Sequence, residues 1–88
     1  MNNERMMMEG KLSVLRHDLR EAGLSAAASR DLTREKLNPY EPDIVDGCDT
    51  AIALLELKRL HELREKIISL RAQIAKLEEA LGHEKTGA

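Results

Sequence analysis

The chain has 88 residues, of which 42% are hydrophobic and 34% charged, with a net charge of -2, no Trp or Phe, and a single Tyr40. So short a chain supports one domain, and without aromatic side chains it lacks the bulk of an ordinary globular core; thin, repetitive helix-on-helix packing is the expected solution. Interspersed acids and bases without an aromatic ladder argue against direct nucleic-acid binding, and no run approaches the roughly 20 apolar residues of a membrane span.

The N-terminal run Met6–Met8 is too short for the apolar core of a secretory signal. One cysteine, Cys48, excludes a disulfide within the chain and fits a reducing, cytoplasmic setting.

The first predicted helix covers about residues 3–37. Met8, Leu12, Leu15, Leu19 and Ala22 recur at spacings of four and three, the mark of a helix with one apolar stripe. Gly23 then interrupts. It either lies within one long helix, at about 1 kcal/mol relative to Ala, or ends a first helix before Ser25 caps a second. The run Ala26–Ala28 favours one helix, kinked or straight. Pro39 forces an end by Asn38, because the residue before proline is pushed out of the α region.

A loop over 38–48 follows, holding Pro39, Pro42 and Gly47. Glu41, Asp43, Asp46 and Asp49 lie close together with no base among them. At the end of a hairpin they would form a negative tip able to meet a basic pocket or a cation. The plain alternative is that acids suit a helix N-terminus and polar residues suit loops. On a helix, Asp43, Asp46 and Asp49 would share a face; their spacing is not that of an EF-hand.

The second helix, about 49–81, carries the strongest signal. With Leu60 at heptad position a, Ala53, Leu60, Ile67, Ile74 and Leu81 fall at a, and Glu56, Leu63, Leu70 and Leu77 at d; Glu56 alone breaks the pattern. Asp46 or Asp49 can cap its start and Gly82 its end, before a frayed tail over 82–88. Off the seam, Ile52, Leu54, Leu55, Leu57 and Ile68 widen the apolar surface beyond what one partner helix covers. They form a candidate interaction face for the folded-back loop, a second chain or a partner.

Two legs of similar length predict an all-α fold, a long antiparallel helical hairpin. Ile at a with Leu at d also suits a parallel dimer, and a hairpin that dimerises into a four-helix bundle meets both signals. A homo-oligomer is therefore expected. Chemistry has little footing. Cys48 has no histidine near it in sequence, and His17, His61 and His83 are scattered. No zinc spacing, phosphate loop or nucleophile elbow is present, so neither an enzyme, a metal site nor a cofactor is expected.

Residues Asp46-Gly47-Cys48-Asp49-Thr50-Ala51 match the D-x-x-D-x-A pattern at Asp46, Asp49 and Ala51. In this, and in its position between two long helical legs, the chain resembles the DksA/TraR family of RNA polymerase regulators over roughly residues 10–87, with Ile74 and Gly87 at similar spacings. The Gre transcript-cleavage factors share an acidic hairpin tip but fit the motif less well. The resemblance implies a coiled coil that enters the polymerase secondary channel, with Asp46 and Asp49, beside Ala51, brought near the catalytic centre; Asp43 of the acidic loop completes the candidate partner-binding tip. The family's cysteine-based zinc module has no counterpart in residues 82–88, which hold no cysteine. Apart from the resemblance, the chain reads as an oligomerising adaptor or chaperone-like protein acting through its apolar face.

Overall fold

Apolar residues at alternating three- and four-residue spacings need a partner stripe, and each leg supplies one to the other. The computed structural model describes residues 2–82 and contains two helices, α1 (Asn2–Leu37) and α2 (Thr50–Leu81), packed antiparallel as a hairpin. His83, Gly87 and the rest of the expected frayed tail after Gly82 lie outside the described residues.

Gly23 does not break α1. It is exposed, off the stripe, and a methyl group in its place would meet nothing within 4 Å. A penalty of about 1 kcal/mol is easily carried by a 36-residue helix packed along its length. The helix ends at Asn38, which sits in the left-handed region at φ 46° and donates its N–H to the Arg34 carbonyl at 3.1 Å. Asparagine tolerates this conformation, and Pro39 prevents continuation. Arg34 and Lys36 lie in the last turn, where the helix dipole favours cations.

The start of α2 is capped by Asp49, whose carboxylate accepts the Ile52 N–H at 3.1 Å. At its other end Gly82 adopts φ 78°, a conformation that costs glycine little, and its N–H returns to the Glu79 carbonyl at 3.1 Å. Arg5 reaches across from α1 to the Leu81 carbonyl at 3.3 Å, partnering one of the last orphaned acceptors.

Both seams run the full length of the hairpin. On α1 the covered positions continue past Ala22 through Ala26, Ser29, Thr33 and Lys36 at the same spacings. The side chains, however, change along the way. The apolar core lies in the half away from the loop, where Leu12, Leu15 and Ala22 pack with Leu70, Ile74 and Leu81, flanked by Met8, Leu19, Ile67 and Leu77. Near the loop the seam is small and polar. Ala53, Ser29 and Thr33 are buried, and the Ser29 hydroxyl donates to Glu56 Oε1 at 2.7 Å. Glu56, the misfit in the α2 pattern, is thus matched by a misfit in α1. Thr33 donates back to the Ser29 carbonyl at 2.8 Å, so neither buried hydroxyl is left unpaired.

The product is a rod, 64 × 24 × 14 Å along its principal axes. Its radius of gyration is 18.9 Å, against about 12 Å for a compact domain of this length. No described element covers the outer faces of either helix. No helix among the described residues is long and apolar enough to cross a membrane.

Candidate functional site

The loop from Asn38 to Asp49 forms one end of the rod and organises itself by local hydrogen bonds. Asp43 Oδ1 accepts the N–H groups of Val45 and Asp46, both at 3.0 Å, an Asx turn. Glu41 Oε1 accepts the Asp43 N–H at 3.2 Å. The Gly47 N–H donates to the Asp43 carbonyl at 2.9 Å, and a side chain at Gly47 would press within 2.7 Å of that same oxygen, so only glycine fits. Asn38 Nδ2 donates to the Gly47 carbonyl at 3.1 Å, and the Asp49 N–H closes the loop on the Lys36 carbonyl at 2.8 Å.

The acidic residues therefore differ in availability. Glu41, Asp43, Asp46 and Asp49 are all exposed. Asp43 shapes the turn and Asp49 caps α2, whereas the Asp46 carboxylate accepts no hydrogen bond among the described residues. The three aspartates do not share a helix face, because the segment from Asn38 to Asp49 is not helical; the turn around Asp43 sets their directions. Ala51 is exposed in the first turn of α2. Cys48 is a half-buried free thiol, and His17 and His61 are exposed. Among the described residues no three His, Cys, Asp or Glu side chains gather as a metal site would require.

The second candidate region is the outside of α2. Leu54 and Leu55 are 70% and 65% exposed, Leu57 and Ile68 about half, and Ile52 40%. The loop does not fold over them. They also divide between two sides of the rod. Leu54, Leu57 and Ile68 lie at positions b and e on one flank of the seam, whereas Ile52 and Leu55 lie at g and c on the other. Ala51, Leu54, Leu55 and Lys58 line a shallow depression on the back of α2 next to the tip. In the loop itself Tyr40, Ile44 and Val45 are among the most exposed large side chains of the molecule.

Charge placement is a feature that reading along the chain misses. Lysines and arginines form no block in the sequence, yet the heptad positions of the two helices collect six arginines on one flank. The signal was present in the spacing of Arg16, Arg20, Arg30 and Arg34, which, with Leu12 at position a, repeats at positions e and b of α1. Comparison with protein-family models, with curated proteins and with solved structures finds no match.

Proposed function

We propose that this protein is a binding module, a stiff helical hairpin that docks onto other proteins through the outside of α2 and regulates or assembles them without catalysing a reaction. The observation that carries this reading is the exposure of Leu54, Leu55, Leu57 and Ile68 on a helix whose seam is already satisfied by α1. Leu54, Leu57 and Ile68 share one flank with Leu55 beside them on the back of the helix, and apolar side chains exposed together on the surface of a small protein mark interaction sites. A second copy is one such partner, which would make the hairpin half of a four-helix bundle.

Changing Leu54 and Leu55 together to Glu tests this. Both side chains point away from the core, so helicity and melting temperature are expected to stay within error of wild type. Sedimentation equilibrium, with cross-linking in cells of origin, should show loss of self-association or of a cross-linked partner. Unchanged assembly and cross-linking would sink the reading.

A more specific form rests on the tip. Asp46 is exposed at the end of a narrow rod, its carboxylate accepting no hydrogen bond among the described residues, within the D-x-x-D-x-A segment, which is the chemistry a secondary-channel regulator of RNA polymerase would need. Asp49 is a poor choice for testing it, because its removal uncaps α2 at a cost of about 1 kcal/mol. Asp46→Asn removes the free charge and no hydrogen bond recorded among the described residues. On this form it abolishes any effect of the protein on transcription in vitro while leaving the melting curve unchanged. Full activity of the Asp46→Asn variant would exclude the polymerase-tip mechanism.

A further inference from the structure

One flank of the rod combines an apolar groove with concentrated positive charge. The groove, about 490 Å³, runs along α2 and is floored by Leu57, Leu60, Ile67 and Ile68, with Ala26 the α1 residue on its opposite wall. It exists because α1 is low there. Gly23 and Ala27 occupy the e and b positions beside Ala26, so over this turn α1 presents nothing larger than a methyl group to the groove. Arg64 and Arg71 form part of its lining.

The same flank carries four further arginines. Arg16 pairs with Glu78 across the two helices at 2.6 Å, which fixes this side as the one shared by the e positions of both. Arg16 and Arg20 line a depression on it, and Arg30 and Arg34 recur two heptads later. Glu9 and Glu78 are the acids at the e and b positions of this flank, both at the end away from the loop. Arg30 and Arg64 lie near Asp31 and Glu65, their sequence neighbours, in exposed pairs of little strength. Arg20, Arg34 and Arg71 have no carboxylate within ion-pair distance among the described residues.

We infer that this groove receives an amphipathic helix with an apolar stripe and acidic flanks, supplied by another protein; the inference rests on the protein-binding reading above and names the partner's chemistry. From Leu57 to Arg71 the groove spans about 21 Å, four turns of helix. Leucines of the incoming helix fill the floor at i, i+3 and i+4 spacings, while its carboxylates meet arginine forks on both rims. A second copy using the same face would oppose arginines to arginines, which like-charge repulsion disfavours. Stacking of nucleic-acid bases lacks an aromatic surface here.

The test titrates the full chain with labelled peptides of about three heptads, Leu at a and d, bearing either Glu or Lys at e and g. Fluorescence anisotropy should show the Glu peptide binding at least about ten-fold tighter than the Lys peptide, a gap that narrows with added salt. Arg64→Glu with Arg71→Glu should reverse the preference; Arg64→Gln with Arg71→Gln serves if the reversal disturbs folding, and should abolish it. Equal binding of both peptides, or no effect of the arginine changes, overturns the acidic partner yet leaves a protein-binding groove. Binding of neither peptide overturns it as well. A single-stranded oligonucleotide or phosphatidylglycerol vesicles that bind where neither peptide does would overturn both this inference and the protein-binding reading. Self-association that depends on Arg64 and Arg71 would assign the groove to a second copy and overturn the inference.

Discussion

Leu12→Ala is expected to remove a third or more of the hairpin's stability. Leu12 is 2% exposed and lies in the cluster with Leu15, Leu70 and Ile74. Truncating a buried leucine costs about 2–5 kcal/mol through lost transfer energy and the cavity left behind. A domain of this length has roughly 4–13 kcal/mol in total. A rod one helix pair thick has no second layer to collapse into the gap, which places the loss toward the upper part of that range. Val14, two residues on, is 59% exposed, and Val14→Ala should stay within about 0.5 kcal/mol of wild type. Thermal and urea melts followed by far-ultraviolet circular dichroism measure both. Equal effects of the two substitutions would mean that the helices do not meet on the Leu12 face.

The polar layer near the loop predicts the opposite sign. Ser29→Ala alone withdraws the hydroxyl that donates to Glu56 at 2.7 Å and leaves a half-buried carboxylate without it, a loss of about 1–2 kcal/mol. Ser29→Ala combined with Glu56→Leu replaces the pair by apolar groups and restores a leucine to the one d position that lacks an apolar residue. The double variant should be more stable than wild type by about 1 kcal/mol, since replacing both members of a partly buried polar pair by apolar groups avoids the desolvation that each suffers. Urea midpoints of wild type, both single variants and the double variant give the coupling directly. A neutral Ser29→Ala would show that Glu56 turns to solvent and that the layer contributes nothing. In wild type this pair favours the observed alignment over a shift that would set the carboxylate against Ala26 or Ala22.

The antiparallel hairpin was legible because α2 repeats leucine and isoleucine at a and d with one exception. Half of its counterpart in α1 was not. After Ala22 the seam consists of Ala26, Ser29, Thr33 and Lys36, which keep the spacing but not the hydrophobicity, and a search for apolar periodicity stops at Gly23. The match between Ser29 and Glu56 is invisible until the antiparallel register is known. At the tip, sequence located the acids but not their unequal roles. An Asx turn at Asp43 and a cap at Asp49 depend on backbone directions that spacing alone does not set. The arginine flank was hidden by reading charge linearly. Only when both helices are placed side by side do Arg16 to Arg34 join Arg64 and Arg71.

The uneven seam also decides which end of the molecule is the clasp. Chain entropy favours closing a hairpin at its turn, but the advantage is small. Bringing Leu12 to Ile74 instead of Ser29 to Glu56 costs only about 0.7 kcal/mol more in loop entropy. A single well-buried leucine outweighs that. The fastening therefore lies at the open end, where α1 starts and α2 stops, and the connector end is the easier one to prise apart. A partner that grips near the connector thus works on the part of the rod that yields with the least force, while the far end keeps the two legs joined.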